Sequence, residues 1–189
     1  RILDVFEKVF NEKLGLSITP FVAEIERHII SQGKYEEFKK SFESKANSTW
    51  EEMRDGIQFV EDEFANAYAE VLNKSVEEAR SIVERTEKNY TLSVEKFAER
   101  VRDYIKEKGN NHHVIFLVDE IGQYIGDDRS LMLNLQTIVE DLGLECGGKA
   151  WVIVTSQEAI DDVVKVQGND FSKIQGRFDT RLSLSSANV

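Results

Sequence analysis

Cysteine, proline and positive charge are all scarce in this chain of 189 residues, and each scarcity removes a class of protein. A single cysteine, Cys146, excludes an internal disulfide and suits a reducing cytoplasm. Against 35 acidic residues stand 24 Lys and Arg, a formal net charge of -11, with no dense basic cluster. Such a chain repels nucleic acid and anionic membrane as a whole. No apolar run approaches the length of a membrane span, and no signal peptide is visible. Also missing is a Gly-x4-Gly-Lys-[Ser/Thr] loop, whose backbone amides and lysine would hold phosphates. The chain starts at Arg1 and stops at Val189 soon after a strand-like run, so the expectation is an excised piece of a longer protein.

What remains is ordinary for a globular domain carrying much surface helix: 41% hydrophobic and 31% charged residues. The length suits one domain, or one compact domain with a helical appendage. Leu3, Phe6, Val9, Phe10 and Leu14 fall at helical spacing before Gly15. The lone proline, Pro20, opens a second helix whose face is Phe21, Val22, Ile25 and Ile29, up to Gly33. Tyr35, Phe38 and Phe42 mark a third, shorter one. Ser48 with Glu51 reads as a capping box before one long helix from Trp50 to Leu72, and Ser75 with Glu78 repeats the signal. Val94, Phe97, Val101 and Ile105 trace the next helix, closed by Gly109. Residues 1–110 are therefore expected to form a helical subdomain.

Beyond Asn110 the pattern becomes strand, helix, strand. Residues 113–119 read as a strand buried on both faces, because Val114 to Val118 are five consecutive large apolar residues. A helix from Ser130 to Leu142 follows, stopped by Gly143, and then a second buried strand, Trp151 to Val154. Further helices are expected around Ile160 to Val164 and Phe171 to Ile174, and a weaker strand at residues 181–186. The fold class is thus α/β, a helical subdomain followed by part of a parallel sheet with flanking helices (residues 111–189).

The chemistry collects at strand ends, where open α/β sheets bind ligands. Asp119 and Glu120 close the first strand. In a nucleoside triphosphatase that Asp holds Mg²⁺ and the Glu polarises the attacking water; otherwise the pair only closes a strand with charge. Thr155, Ser156 and Gln157 end the second strand, either as polar contacts to a γ-phosphate or attacking water, or as a helix cap at Ser156. Arg177 and Arg181 can supply an arginine finger across a subunit boundary, or a salt bridge with Asp179. His112 and His113 point to opposite faces of a strand and are read as strand-edge residues, and His28 and Cys146 lack partners at ligand spacing.

The run His113-Val-Ile-Phe-Leu-Val-Asp-Glu-Ile-Gly-Gln-Tyr-Ile-Gly126, with Leu133-Asn-Leu-Gln136 and Ala150-Trp-Val-Ile-Val-Thr-Ser-Gln-Glu158, resembles the large P-loop ATPase of bacteriophage-exclusion (BREX) systems, the BrxC/PglY family. The similarity is dense over residues 110–184 and looser before them. It implies an AAA+-like core needing ATP and Mg²⁺, with Asp119 as the Walker B metal acid and Glu120 as the catalytic glutamate. Thr155, Ser156 and Gln157 would lie at sensor 1, and Arg177 in the Gly176-Arg-Phe-Asp179 run would act in trans. The family implies a cytoplasmic parent that associates with itself and with other defence proteins, meeting DNA indirectly and no membrane. Lacking the phosphate loop, the fragment alone is expected not to hold nucleotide. Two other readings stay open: a non-catalytic scaffold, and a nucleic-acid-binding module on the N-terminal helices.

Overall fold

The computed structural model describes residues 1–109, 111–126 and 128–156, with Phe178, Thr180 and Leu182. The helices expected around Ile160 and Phe171, and all but Leu182 of the strand expected at 181–186, lie outside the described residues. The described chain forms two compact units, one of Asp4–Thr91, the other of Arg1–Leu3 with the residues from Leu92 onward. The division falls before α7 (Val94–Lys108), not after residue 110, because α7 buries Phe97, Ala98, Val101 and Ile105 within the second unit.

In the helical unit, α1 (Ile2–Lys13), α2 (Pro20–Ser31) and α3 (Tyr35–Ala46) form in sequence, and α3 is as long as the other two rather than shorter. Glycines end the first two by going left-handed: Gly15 at φ 74° and Gly33 at φ 66°. In each turn the following N–H reaches back five residues, Leu16 to Asn11 at 2.9 Å and Lys34 to Ile29 at 3.2 Å.

The single long helix expected from Trp50 to Leu72 is broken into α4 (Trp50–Met53), a 3-10 helix (Arg54–Phe59) and α5 (Glu61–Leu72). Periodicity did not foresee the polar contacts that draw the middle piece aside. Asp55 Oδ1 accepts from the Ser17 hydroxyl at 2.5 Å and the Thr19 N–H at 3.3 Å. Arg54 Nη1 donates to the Gly15 carbonyl at 2.7 Å and to Glu26 at 3.1 Å. Gly56 takes the non-helical bend at φ -112°, ψ 36°. The N-cap is Thr49 rather than Ser48, and Glu52 is the residue that reaches back, accepting from the Thr49 N–H at 3.3 Å. The expected start of α6 (Val76–Asn89) holds, with Ser75 accepting from the Glu78 N–H at 3.1 Å.

The core of this unit is aromatic. Trp50 meets Phe38 and Phe42 edge-on at 5.1 and 5.0 Å, and Phe64 lies 5.6 Å from Phe38. Beside it Glu26 is fully buried, and its carboxylate accepts from the Ser17 N–H (2.6 Å), the Tyr35 hydroxyl (2.7 Å), the Trp50 indole N–H (2.8 Å) and Arg54. Charge in a low-dielectric core is tolerable only with this degree of pairing. Burial first, and then the Glu26 charge, push the Tyr35 phenol well above its ordinary value.

In the second unit, β1 (Val114–Val118) and β2 (Ala150–Val154) pair in parallel, Val114 opposite Ala150 through Val118 opposite Val154. Between them run α8 (Ile121–Ile125) and α9 (Arg129–Cys146). Gly143 does not stop α9; the helix continues until Gly147 turns left-handed at φ 57°, and the extra turn buries Cys146 against the Ala98 carbonyl. Phe116 packs on Phe97 at 5.8 Å, with Leu135, Ile138 and Leu142 buried in the same layer. The expectation of two buried sheet faces is corrected: Leu117 is 76% and Trp151 58% exposed, and Ile115 and Ile153 share that exposed alternation.

Replacing Glu26 by Ala strands Arg54 and three neutral donors, and should lower unfolding free energy in urea by about 3–5 kcal/mol. Because the raised Tyr35 stays protonated while the unfolded chain ionises, stability is full below the ordinary tyrosine pKa of about 10 and falls as pH rises through it. Urea titrations on both sides of that pH should show a steeper alkaline loss in the native chain than in Tyr35→Phe.

Candidate functional site

The parallel register delivers two strand ends side by side, and the residues just past them interlock. Thr155 N–H donates to the Val118 carbonyl at 3.0 Å, extending the ladder by one residue, and the Ile121 N–H donates to the Thr155 carbonyl at 3.0 Å. Between these two bonds lies the acidic turn. Asp119 has left the strand, and Glu120 is left-handed at φ 51°, ψ 37°. The strand expected over residues 113–119 therefore ends one residue earlier, at Val118, and strand alternation does not set the directions of the Asp119 and Glu120 side chains.

A left-handed glutamate is strained by roughly 1–2 kcal/mol. The strain is offset by what the conformation lets its backbone do: the Glu120 N–H donates to both Thr155 Oγ1 (3.0 Å) and Asp119 Oδ1 (3.1 Å). The Thr155 hydroxyl in turn donates to Asp119 Oδ1. A carboxylate can only accept, so the direction of that bond is fixed. Both of these bonds to Asp119 fall on Oδ1, which leaves Oδ2 out of this interlock.

Ser156 sits one residue further, half-buried, against Gly122 in α8. A Cβ on Gly122 would lie 2.5 Å from the Ser156 Oγ and 3.5 Å from its Cβ. Glycine at this position lets the end of β2 approach the first turn of α8 closely. Residue spacing gave no sign of this contact, although a glycine two residues past a strand-end acid suggests close backbone approach. Asp128 was also missed. Its carboxylate caps α9 by accepting from the Ser130 and Leu131 N–H groups at 2.8 and 3.2 Å, and an Asp just before an apolar-periodic run is the usual mark of such a cap.

The structure thus brings together Asp119, Glu120, Thr155 and Ser156. Gln157, Arg177 and Arg181 lie outside the described residues. Of the residues read as bystanders, His112 meets the Tyr104 ring edge-on at 5.3 Å and His113 Nδ1 lies 3.2 Å from the Asn111 carbonyl oxygen. Burial pushes the Cys146 thiol up to about 11, so at neutral pH it is protonated and a poor nucleophile. Among the described residues no group of three or more His, Cys, Asp or Glu side chains can enclose a metal ion. No helix of the described residues is long and apolar enough to cross a membrane.

No family model matches the chain, and no solved structure matches it.

If Gly122 is there for close approach, Gly122→Ala should force the Ser156 hydroxyl into another rotamer at a cost under about 1 kcal/mol, since only the end of a short side chain must move. The double variant Gly122→Ala/Ser156→Gly should recover native stability in thermal unfolding.

Proposed function

We propose that this chain carries the hydrolytic half of an ATPase site, in which Asp119 holds Mg²⁺ and Glu120 polarises the attacking water. The observation that carries the reading is the interlock of Asp119, Glu120 and Thr155 at adjacent parallel strand ends. Two acids that merely closed a strand with charge would need neither the strained Glu120 backbone nor a hydroxyl from the neighbouring strand.

The donor set fits Mg²⁺ in a particular way. Mg²⁺ takes hard oxygen ligands and usually one or two carboxylates, its remaining positions going to water and substrate phosphate. The exposed Asp119 carboxylate beside Glu120 suits that sharing, whereas three acidic side chains converging on an ion are absent among the described residues. When bound, Mg²⁺ supplies the positive charge that stabilises the transferring phosphoryl group. The chain's own contribution is geometric: β1 and β2 fix the two strand ends, and the Thr155 hydroxyl fixes the Asp119 carboxylate and the Glu120 amide together.

These 189 residues contain no phosphate loop, so the nucleotide would be held by other sequence of a longer protein. The motif runs resembling the bacteriophage-exclusion ATPases favour that parent: an AAA+-like P-loop enzyme of the cytoplasm, associating with itself and with other defence proteins, and acting in trans through Arg177. The net charge of -11 makes the chain as a whole a poor DNA ligand.

Glu120→Gln in the longer protein should abolish ATP turnover while nucleotide still binds, as read by a phosphate-release assay beside equilibrium binding. Unchanged turnover would favour the scaffold reading instead. The 189-residue chain alone should hydrolyse no Mg-ATP; turnover lost on Asp119→Ala would show that the missing loop is not required.

A further inference from the structure

The chain enters and leaves the helical unit in different ways. Residues on both sides of Asp4–Thr91 belong to the second unit, so the helical unit is an insertion in that unit's sequence. Entry lies inside α1, which runs without interruption from Ile2 to Lys13. Exit lies in the non-helical stretch Tyr90–Ser93, between α6 and α7. A hinge needs backbone that can change φ and ψ, and the hydrogen-bonded interior of a helix does not offer it. The exit can bend; the entry cannot.

That exit is tied down at its first residue. Tyr90 ends α6 in extended backbone, at φ -64° and ψ 121°, and its hydroxyl lies 2.7 Å from both carboxylate oxygens of Glu7. Glu7 stands about one helical turn past the entry and is 1% exposed. The contact spans 83 positions, nearly the whole unit, whereas the bond from Arg54 to the Gly15 carbonyl spans 39. A hydroxyl donating to a carboxylate makes a bond roughly twice as strong as one between neutral groups. The buried apolar cluster around Trp50 runs from Val22 in α2 to Val83 in α6, so Glu7 precedes that stretch of chain and Tyr90 follows it. Apolar packing holds the middle of the insertion, and a polar bond joins its two ends.

We propose that Glu7 and Tyr90 form a strap across the base of the insertion, and that releasing it turns Tyr90–Ser93 into a hinge while the Trp50 core and the Asp119–Glu120 turn stay folded. The strap does not depend on the ATPase reading. It is a conformational device: anything that competes for the Tyr90 hydroxyl or for Glu7 loosens the exit without unpacking either unit. Phenylalanine at position 90 keeps the ring and deletes only the hydroxyl, so it opens the strap with little change in packing.

Backbone ¹⁵N relaxation of the 189-residue chain tests the device, and needs no nucleotide. In the native chain Tyr90–Ser93 should show order parameters of about 0.85, the value of rigid backbone, and in Tyr90→Phe they should fall below about 0.6. Hydrogen exchange is the second readout. The Trp50 indole N–H, held by Glu26 at 2.8 Å, and the amides of β1 should exchange within about threefold of their native rates in the same variant. The strap is overturned if Tyr90→Phe leaves Tyr90–Ser93 rigid, or if that stretch is already mobile in the native chain. It is overturned as well if the Trp50 indole N–H is exposed together with the exit, since the bond would then support the whole helical unit and not its base alone.

Discussion

Parallel pairing of β1 with β2, in the register that sets Val118 against Val154, is the constraint on which the candidate site depends. Parallel strands point their carboxyl ends the same way, so the residues that follow them must share one edge of the sheet. One further ladder bond, from the Thr155 N–H to the Val118 carbonyl, places a hydroxyl beside Asp119. Shifting the pairing by one residue would turn every side chain of one strand to its other face and take Thr155 away from the acid. The strained Glu120 is a consequence of the same register, since its N–H is held by oxygens from both strand ends.

The helical unit solves a different problem. Its aromatic core leaves one side to a buried carboxylate, and Glu26 is tolerated there because four donors from four separate segments converge on it. Pairing of this density ties the turn after α1 to α3, to α4 and to the 3-10 segment. Breaking the helix that Trp50 would otherwise have begun is the structural cost, and it brings Arg54 and Asp55 to their partners. A second buried acid follows the same rule, with both Glu7 oxygens lying 2.7 Å from the Tyr90 hydroxyl. Among the described residues the buried acids Glu7 and Glu26 are thus met by hydroxyl, indole, guanidinium or backbone N–H donors.

Local order was legible wherever one residue type has one physical use. Gly15, Gly33 and Gly109 stop helices because few other residues accept a positive φ, and Ser75 starts one because its oxygen meets a free amide. Legibility failed where two signals of equal strength compete. Gly143 and Gly147 both look like helix stops, and only the burial of Cys146 decides for the later one. Ser48 and Thr49 are both good N-caps, and the reach of Glu52 selects the second. The apolar run of β1 reads as buried on both faces because hydrophobicity says that a residue prefers burial, not which neighbour covers it.

By itself the sequence determined the order of helices and strands apart from the break after Trp50 and the short α8, together with the acids at the end of β1 and the hydroxyls at the end of β2, since each follows from periodicity or from a residue's own chemistry. Tertiary structure alone decided that Thr155 rather than Ser156 holds Asp119, that Glu120 turns left-handed, and that Gly122 lies against the Ser156 hydroxyl. Those outcomes depend on ångström-scale contact between residues about 35 positions apart, and no local pattern carries that distance.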